Sequence, residues 1–341
     1  MKKAIFLDRD GTINVEKDYI YKSEDLVFEE GSIEALKTFK NLGYILIVVS
    51  NQSGIARGYF TEEDLNIFNN NMNEILKKNG VEITEFYCCP HHPDGIGEYK
   101  KVCECRKPNN KMIEDAIKKY NINREKSYMI GDKTSDIGAG LKSNLKTVLV
   151  KTGYGLKDME KVDKNETLIY ENLKDFSEIL KREKLNELIF EEFSKKVQIK
   201  NVVMDSRKVI EGSLFFAINN GNSYVKDVLD KGASLVIADN TDIKDKRVIK
   251  VTDTIATMQD LATKYRNKLD IQVVGITGSN GKTTTKDIVY SLLSAKAKTL
   301  KTEGNYNNHI GLPYTLLNVT DEEKFVVLEM GMSSLGEIRR L

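Results

Sequence analysis

Hydrophobic and polar positions follow two alternating patterns in the first half of the chain. Short apolar runs end in a polar or glycine residue, and they are KAIFLD, YILIVVSN, SYMIGD and TVLVKTG. Between them lie stretches such as SIEALKTFKNLG and TEEDLNIFNNNMNEILKKNG, in which apolar residues recur at helical spacing. This alternation predicts an α/β fold, a parallel sheet with helices on both faces. Ligands of such sheets bind beyond the carboxyl ends of the strands.

A second α/β pattern follows a lysine- and glutamate-rich region at about 156–200, in which we place a domain junction near residue 180. The runs VVMDSRKVIEGSLFFAI and VLDKGASLVIAD predict strands and a helix, and RVIKVTDTIATMQDLATKYRNKL adds a strand and a helix. The segment IQVVGITGSNGKTTTKDIVYSLLSA then predicts a strand, a glycine-rich loop and a helix. The second half is therefore also expected to be α/β.

Length and charge narrow the class of protein. A chain of 341 residues is long for one core, which favours two or three domains. The net charge of +1 provides no attraction to nucleic acid or to a membrane surface. The apolar run ILIVV is too short to cross a bilayer, and the N-terminal apolar stretch meets Asp8 too soon for a signal peptide. We expect a cytoplasmic protein with small-molecule partners, and neither a nucleic-acid nor a membrane partner.

Residues able to carry chemistry stand at the predicted strand ends: Asp8 and Asp10, Ser50 and Asn51, Lys107 in the motif CRKP, and Asp132, Lys133 and Asp136. Carboxylates gathered at one sheet edge suit Mg²⁺, and a lysine and a hydroxyl nearby would hold a phosphoryl group. One carboxylate can attack phosphorus while a second moves protons. The alternative is that these aspartates only form turns.

The motifs DRDGT, SNQ, KP and GDKTSD resemble the four motifs of the haloacid dehalogenase-like phosphatases, which have a Rossmann-like fold. The resemblance implies that Asp8 is the nucleophile, and that Asp10 protonates the leaving oxygen and then activates water. It implies a Mg²⁺ ion on Asp8, Asp132 and the carbonyl of Asp10. It also implies that Ser50 and Lys107 stabilise the transferring phosphoryl group.

The cysteines cluster within 18 positions: Cys88, Cys89, Cys103 and Cys105. In a reducing compartment such a cluster favours metal ligation over disulfides. Cys89 with His91, and Cys103 with Cys105, form two short-spaced pairs that suit tetrahedral Zn²⁺. The zinc would be structural, because protein ligands fill all four positions. His92 is the alternative to His91, and four free thiols are the alternative to a metal site.

The zinc loop CCPHHPDGIGEYKKVCECRKP and the segment NVEKDYIYKSEDLVFEEGSIEAL resemble the D-glycero-D-manno-heptose 1,7-bisphosphate phosphatases, and more distantly the histidinol-phosphate phosphatases. The resemblance implies removal of the 7-phosphate from the heptose, a precursor of cell-surface polysaccharide. Histidinol phosphate or another sugar phosphate is the alternative substrate. The implied substrate contacts are Glu16, Lys17, Asp18, Tyr19, Asn51, Gln52, Ser53, Arg106 and Lys133.

The loop TGSNGKTTTK in the second half has the composition of a phosphate-binding loop. Backbone N–H groups and a helix N-terminus would face the anion. The loop departs by one position from the general pattern G-x-x-x-x-G-K-[ST], because position 276 is Ile276. An ordinary glycine-rich turn is therefore the alternative.

This loop, together with DSRKV, GSLFFAI, EGNYNNHIGLPYTLL and LEMGMSSLGEIRRL, resembles the Mur ligases, and most closely the type that adds D-alanyl-D-alanine to a UDP-muramoyl tripeptide. The resemblance implies that Lys282 contacts ATP phosphates and that Thr283 and Glu329 hold Mg²⁺. It places Asn307 and Asn308 near the nucleotide or the acceptor. The implied binding residues are Gly278, Ser279, Asn280, Gly281, Lys282, Thr283, Thr284 and Glu329 for ATP, and Ser206 and Arg207 for the UDP-sugar.

We therefore expect three segments: a phosphatase at 1–180, a UDP-sugar-binding-like domain at 181–266 and the start of an ATP-binding domain at 267–341. The expected ligands are a sugar phosphate, and ATP and a UDP-muramoyl peptide for the second half. We expect these residues to bind nucleotide without completing a ligation, because the family's further catalytic residues and amine-binding domain come after this point. The alternative, from another functional class, is that the second half binds a nucleotide or a UDP-sugar as a scaffold and carries out no catalysis.

Overall fold

The structure, a computed structural model, describes residues 1–194 and 199–332. It divides into two compact units, unit 1 at 1–181 and unit 2 at 182–341, next to the junction placed near residue 180. The end of the motif LEMGMSSLGEIRRL, from residue 333 onward, lies outside the described residues. Within the described ranges, no helix combines the length and apolar character needed to cross a bilayer.

Unit 1 is built on one parallel sheet in the order β3-β2-β1-β4-β5-β6. Its strands are β1 (Lys3–Leu7), β2 (Tyr44–Asn51), β3 (Glu85–Cys89), β4 (Tyr128–Gly131), β5 (Lys146–Val150) and β6 (Thr167–Tyr170). Its helices are α1 (Ser32–Asn41), α2 (Ser53–Ala56), α3 (Glu62–Lys78), α4 (Lys111–Tyr120), α5 (Thr134–Lys142), α6 (Gly155–Asp158) and the first part of α7 (Leu173–Ser194). The predicted α/β class with a parallel sheet is confirmed.

Alternating side chains of β1 show why the sheet is covered on both faces. Ile5 and Leu7 enter a core with residues of α1, α3 and α7. Ala4 and Phe6 point the other way, into a core with residues of α4 and α5. All four side chains are fully buried, as expected for a parallel strand flanked by helices on both sides.

Unit 2 contains two smaller parallel sheets, in the orders β10-β9-β8-β7 and β11-β13-β12. The strands are β7 (Asn201–Val203), β8 (Ser213–Phe216), β9 (Leu235–Ala238), β10 (Val248–Lys250), β11 (Gln272–Ile276), β12 (Thr299–Lys301) and β13 (Phe325–Glu329). The helices are the remainder of α7, α8 (Val225–Asp230), α9 (Thr254–Lys268), α10 (Lys282–Ser294) and α11 (Gly311–Leu317).

One hydrophobic core joins the two sheets of unit 2. Leu214 and Phe216 of β8 share it with Val326 and Leu328 of β13. Phe215, between the two β8 residues, faces the opposite core under α8. The strand pattern in the sequence therefore distributes apolar side chains to both faces of the four-stranded sheet.

We predict that Phe176→Ala strongly destabilises unit 1. The Phe176 ring lies 5.8 Å from that of Phe39, 5.2 Å from Tyr128 and 5.4 Å from Tyr170, measured between centroids. Removing it should lower the free energy of unfolding by about 3–5 kcal/mol, measured by hydrogen exchange of the β1 amides in the full chain. Leu168→Ala, at an exposed position of β6 in the same unit, is the control and should cost at most about 0.5 kcal/mol. Equal protection of β1 in both variants would contradict the prediction.

Candidate active site

The site of unit 1 lies where the chain order of the sheet reverses. β1 is hydrogen-bonded to β2 on one side and to β4 on the other. Asp8 directly follows β1, and its backbone N–H donates to the carbonyl of Ile130 at 2.9 Å. Ser50 lies near the end of β2, and Asp132 directly follows β4. The crevice at such a reversal is the usual ligand site of an open α/β sheet.

Three carboxylates meet at this edge, and all three are buried. Oxygens of Asp8, Asp132 and Asp136 lie within 4.8 Å of one another. The Lys107 ammonium stands between two of them, 3.0 Å from Asp8 Oδ1 and 2.6 Å from Asp136 Oδ1. The other Asp136 oxygen accepts a hydrogen bond from the backbone N–H of Lys133 at 3.0 Å, at the start of α5. Asp136 is thus part of the cluster, although the sequence assigned it no ligand role.

Burial and neighbouring charges shift the pKa values of this cluster in opposing directions. Burial lowers the pKa of Lys107, but the carboxylates of Asp136 and Asp8 raise it above its ordinary value. Burial raises the pKa of Asp8, yet the charges of Lys107 and Lys133 hold it below its usual range. Burial and the charge of Asp8 raise the pKa of Asp132 to about 8. Burial, opposed by Lys107, raises the pKa of Asp136 to about 6.

The residues at this edge fit a divalent cation. Asp132 Oδ1 is buried and has no hydrogen-bond partner within residues 1–194 and 199–332, while Oδ2 accepts from the Tyr154 N–H at 2.8 Å. Gly11 packs against the other oxygen of Asp132, Oδ2, at a place where a side chain would not fit. Gly11 has φ +79°, and a Cβ there would lie 2.3 Å from Asp132 Oδ2. Carboxylate oxygens with a free lone pair are donors that suit Mg²⁺.

Asp10 has a separate set of partners from Asp8. Its Oδ1 accepts from Arg9 Nε at 3.0 Å and from Asn14 Nδ2 at 3.0 Å. Its Oδ2 accepts from an Arg9 terminal nitrogen at 3.0 Å and from Gln52 Nε2 at 2.9 Å. Asp8 and Asp10 both lie beyond the end of β1 at Leu7, where the regular alternation of strand side chains no longer applies.

A cleft of about 290 Å³ opens beside Asp10 and Lys107. Its walls include eight of the nine predicted substrate contacts: Glu16, Asp18, Tyr19, Asn51, Gln52, Ser53, Arg106 and Lys133. Lys17 is not among them, because its ammonium donates to the Asp25 carbonyl at 3.0 Å. Ser135 and Tyr154 also line the cleft without having been predicted.

Lys133 reaches the cleft from the start of α5. Its ammonium donates to Glu16 Oε2 at 2.8 Å and lies 4.5 Å from the centre of the Tyr154 ring. Burial lowers the pKa of Lys133, but the nearby carboxylates raise it above its ordinary value. A charged amine is therefore available at the cleft wall.

The predicted zinc residues also lie together. Cys105 Sγ is 3.1 Å from Cys89 Sγ and 3.2 Å from Cys103 Sγ, and Cys89 and Cys103 are 3.5 Å apart. His91 Nδ1 is 3.3 Å from Cys105 Sγ. Thiolates on a tetrahedral zinc are about 3.8 Å apart, so the set needs only small outward shifts to hold the ion. In contrast, His92 Nδ1 accepts from the Asp94 N–H at 3.1 Å.

The loop that carries the thiols is tied to Lys107. The Asn51 amide donates to the Lys107 carbonyl at 3.0 Å and accepts from the Lys107 N–H at 2.9 Å. Arg106 donates to the carbonyl of His91 at 3.2 Å. The position of the buried ammonium therefore depends on β2 at one end and on the thiol cluster at the other.

The glycine-rich loop of unit 2 connects β11 to α10. Gly278 and Gly281 have φ of +151° and +76°, in the region that favours glycine. Lys282 folds over the loop, and its ammonium donates to the Gly278 carbonyl at 2.7 Å. The predicted ATP residues at 278–284 thus form one strand–loop–helix turn.

Glu329 ends β13 and is buried. It accepts from Asn307 Nδ2 at 3.1 Å and lies 3.4 Å from the ammonium of Lys286, a buried residue that the sequence did not single out. Burial raises the pKa of Glu329, but hydrogen bonds from Asn307, Thr283 and Lys286 hold it below its ordinary value. Asn308, in contrast, accepts from backbone N–H groups at the start of α11.

The predicted UDP-sugar residues lie on a short turn after β7. The Arg207 guanidinium pairs with Asp205 at 2.7 Å and is largely exposed. The Ser206 carbonyl accepts from the Lys231 ammonium at 3.0 Å. The Ser206 and Arg207 assignments remain predictions.

Comparison with known proteins defines the class of unit 1. Residues 104–176 match a family described as HAD-hydrolase-like. A D-glycero-β-D-manno-heptose-1,7-bisphosphate 7-phosphatase of Pasteurella multocida (strain Pm70) is 46% identical over 182 residues, which cover 53% of this chain and 98% of that protein. The chain belongs to the family of these heptose-bisphosphate phosphatases, and the predicted resemblance is confirmed. A D,D-heptose 1,7-bisphosphate phosphatase structure from B. bronchiseptica, complexed with magnesium and phosphate, is 31% identical over 53% of this chain and 99% of its own, with a TM-score of 0.49.

Unit 2 matches a different family. Residues 276–341 match the Mur ligase middle domain, which confirms the second predicted resemblance. A MurF ligase structure from Thermotoga maritima, in complex with ADP, is 36% identical over 42% of this chain and 35% of its own, with a TM-score of 0.39. The chain thus spans about one third of that ligase.

We predict one zinc ion per chain, bound by the thiol cluster. Replacing Cys103 and Cys105 together by serine should remove it, and His91→Ala should release it more readily than His92→Ala, because only His91 lies among the thiols. Metal content of the purified full chain by mass spectrometry is the measurement. Cys88→Ser is the matched control and should retain zinc, since Cys88 contacts Asn69 instead. Zinc-free wild-type protein with full activity would contradict the prediction.

Proposed function

We propose that unit 1 is a Mg²⁺-dependent phosphomonoester hydrolase that removes the 7-phosphate of D-glycero-D-manno-heptose 1,7-bisphosphate. The observation that carries the proposal is the buried Lys107 ammonium between Asp8 and Asp136, beside an Asp132 oxygen without a hydrogen-bond partner in the described residues. This arrangement keeps Asp8 ionised and leaves room for a cation and a phosphoryl group. Membership in the heptose-bisphosphate phosphatase family supports the choice of substrate.

In the first step, an Asp8 carboxylate oxygen attacks phosphorus. The bond between phosphorus and the oxygen on C7 breaks, and Asp10 gives its proton to that oxygen. Ser50 Oγ accepts from Gln52 Nε2 at 2.9 Å, so its own hydroxyl proton is free to bind a phosphoryl oxygen. Lys107 lies close enough to Asp8 to offset charge on the same group.

In the second step, water attacks the phosphorus of the aspartyl-phosphate. Its proton passes to Asp10, the bond between Asp8 and phosphorus breaks, and inorganic phosphate leaves. Asp10 is thereby restored to the protonated form that begins the next cycle. Mg²⁺, held by Asp8, Asp132 and the Asp10 carbonyl, would offset negative charge on the phosphoryl oxygens.

The cleft is suited to a substrate that is both hydroxylated and anionic. Arg106 and Lys133 provide positive charge, while Asp18, Asn51 and Glu16 provide hydrogen-bond acceptors. A bisphosphate would place its second anionic group near the cations. The alternative substrates are histidinol phosphate and other sugar phosphates. Measuring kcat/KM of the enzyme for each of them and for heptose bisphosphate distinguishes the candidates.

We also propose a structural role for the zinc ion. The Arg106 contact with His91 and the Asn51 contact with Lys107 support it, because they link the thiol cluster to the catalytic ammonium. Bound zinc would stabilise the loop and hold Lys107 in place. A reducing cytoplasm, which keeps the thiols available for metal, is the setting that goes with this proposal.

We predict that Asp8→Asn abolishes turnover while leaving the fold intact. The amide preserves shape but cannot attack phosphorus, so kcat should fall by more than about 1,000-fold. Phosphate release from both anomers of heptose bisphosphate, with Mg²⁺, is the measurement. Asp115→Asn, at a half-exposed ion pair on α4, should retain wild-type activity. Unchanged release by Asp8→Asn would overturn the phosphatase proposal.

Unit 2 supports a second function, binding of nucleotide phosphates. The observation that favours it is the strand–loop–helix turn at 278–284, with two left-handed glycines and Lys282 over the loop. Backbone N–H groups at the start of α10 would face the phosphates, and the Lys282 ammonium would exchange its carbonyl contact for a phosphate oxygen. Glu329, close to Thr283 and Asn307, would complete a Mg²⁺ site.

We predict that Lys282→Ala weakens ATP–Mg²⁺ binding by about tenfold or more, since a charge-assisted hydrogen bond contributes about 1.5–3 kcal/mol. Calorimetric titration of the full chain with ATP and Mg²⁺ is the measurement. Lys296→Ala, beyond the C-terminal end of α10, is the control and should bind as wild type does. Identical affinities for all three proteins would contradict a phosphate-binding loop.

A further inference from the structure

Arg9 is a fully buried cation whose role the proposed reaction leaves open. It lies between Asp8 and Asp10 in the sequence and has no exposed side-chain surface. Its guanidinium lies 4.5 Å from the centre of the Phe68 ring. A buried guanidinium without an ion-pair partner would be strongly destabilising, so its contacts determine what it does.

The contacts of Arg9 converge on one carboxylate. Two nitrogens of the guanidinium donate to the two oxygens of Asp10, each at 3.0 Å. The outer edge of the same group is anchored by the Ile20 carbonyl at 2.9 Å and by Asn69 Oδ1 at 3.2 Å. The planar guanidinium is thus anchored by Ile20 and Asn69 while it donates to both oxygens of Asp10.

Gln52 extends this arrangement to the phosphoryl site. Its amide nitrogen donates to Asp10 Oδ2 and to Ser50 Oγ, both at 2.9 Å, while its oxygen is 3.4 Å from an Arg9 nitrogen. Asp10 lies at the cleft wall with 15% of its side chain exposed, whereas Arg9 is completely enclosed. Arg9 is therefore shielded from the cleft, and the proposed reacting group that its guanidinium contacts is Asp10.

We infer that Arg9 is a positioning residue, whose two-point contact holds the Asp10 carboxyl group at the cleft where it protonates the leaving oxygen. The inference rests on the proposed function, because it assigns Asp10 the proton transfer of that reaction. The competing explanation is that Arg9 only stabilises the fold. The two explanations differ in how the effect of a substitution depends on the leaving group.

Proton donation matters most when the leaving oxygen is strongly basic. An alkyl phosphate releases an alkoxide and needs the proton, whereas an aryl phosphate releases a weakly basic phenolate. The value of kcat/KM reports the steps up to loss of that group. A misplaced Asp10 should therefore slow alkyl phosphates selectively, and a loosened fold should slow both.

The test compares heptose 1,7-bisphosphate with 4-nitrophenyl phosphate for Arg9→Lys in the full chain with Mg²⁺. Lysine keeps the charge but cannot bind both oxygens of Asp10 as a planar fork. We expect kcat/KM to fall by about 10–100-fold for the heptose and by less than about threefold for the aryl phosphate. In the Asp10→Asn background, Arg9→Lys should cost little more for the heptose, because both substitutions remove the same contribution.

Two further variants keep the inference falsifiable. Asn69→Ala removes one anchor of the guanidinium without touching Asp10, and a smaller loss with the same substrate selectivity is expected even if Arg9→Lys folds poorly. Leu76→Ala, on α3 in the core that also contains Phe68, is the stability control and should leave the ratio of the two kcat/KM values unchanged. Equal losses on both substrates for Arg9→Lys and Asn69→Ala, or an additive double variant, would overturn the inference. Phosphate release that does not depend on Asp8 would instead overturn the proposed function.

Discussion

The structure of unit 1 has to compensate the mutual repulsion of three buried carboxylates. Asp8, Asp132 and Asp136 lie within 4.8 Å of one another, and all three are buried. Such a group is stable only if cations are brought to it. Lys107 lies on the loop that also carries the thiols, and Lys133 is the residue directly before α5. The loop, the helix start and the order of the strands are all needed to satisfy this one electrostatic requirement.

Much of this arrangement was predictable from the sequence, because it follows from periodicity and from motif order. Alternating strand and helix patterns predict a parallel sheet, and a parallel sheet brings its carboxyl ends together. The pattern of the sequence therefore places Asp8 and Asp132 at one edge of the sheet. Asp136 could not be assigned a role so directly, because its contact with Lys107 depends on the first turn of α5.

Other features could not be predicted, because their partners are distant in sequence or set by local backbone geometry. Arg9 contacts Asn69, which is 60 residues away, and no spacing rule relates the two. Lys17 carries the same kind of charge as Lys133, yet the turn of its loop directs it to Asp25 and away from the cleft. In unit 2, the sequence indicated Glu329 but not Lys286, whose ion pair with it forms only when α10 packs beside β13. Sequence thus indicates which groups carry chemistry, and tertiary contacts decide which of them meet.

The burial of Lys107 has a consequence for chemical modification of the protein. An amine reacts with acylating agents only when it is both reachable and deprotonated, and Lys107 has a side chain that is 1% exposed and carboxylates that hold its proton. Lys133 is different, since a third of its side chain is exposed at the cleft. Non-enzymatic acetylation, or attachment to a solid support through surface amines, should therefore leave the Lys107 ammonium unmodified. Such reagents can reach Lys133, but the carboxylates that raise its pKa keep it protonated, so acylation there should be slow, and a bound phosphate ester would shield it further.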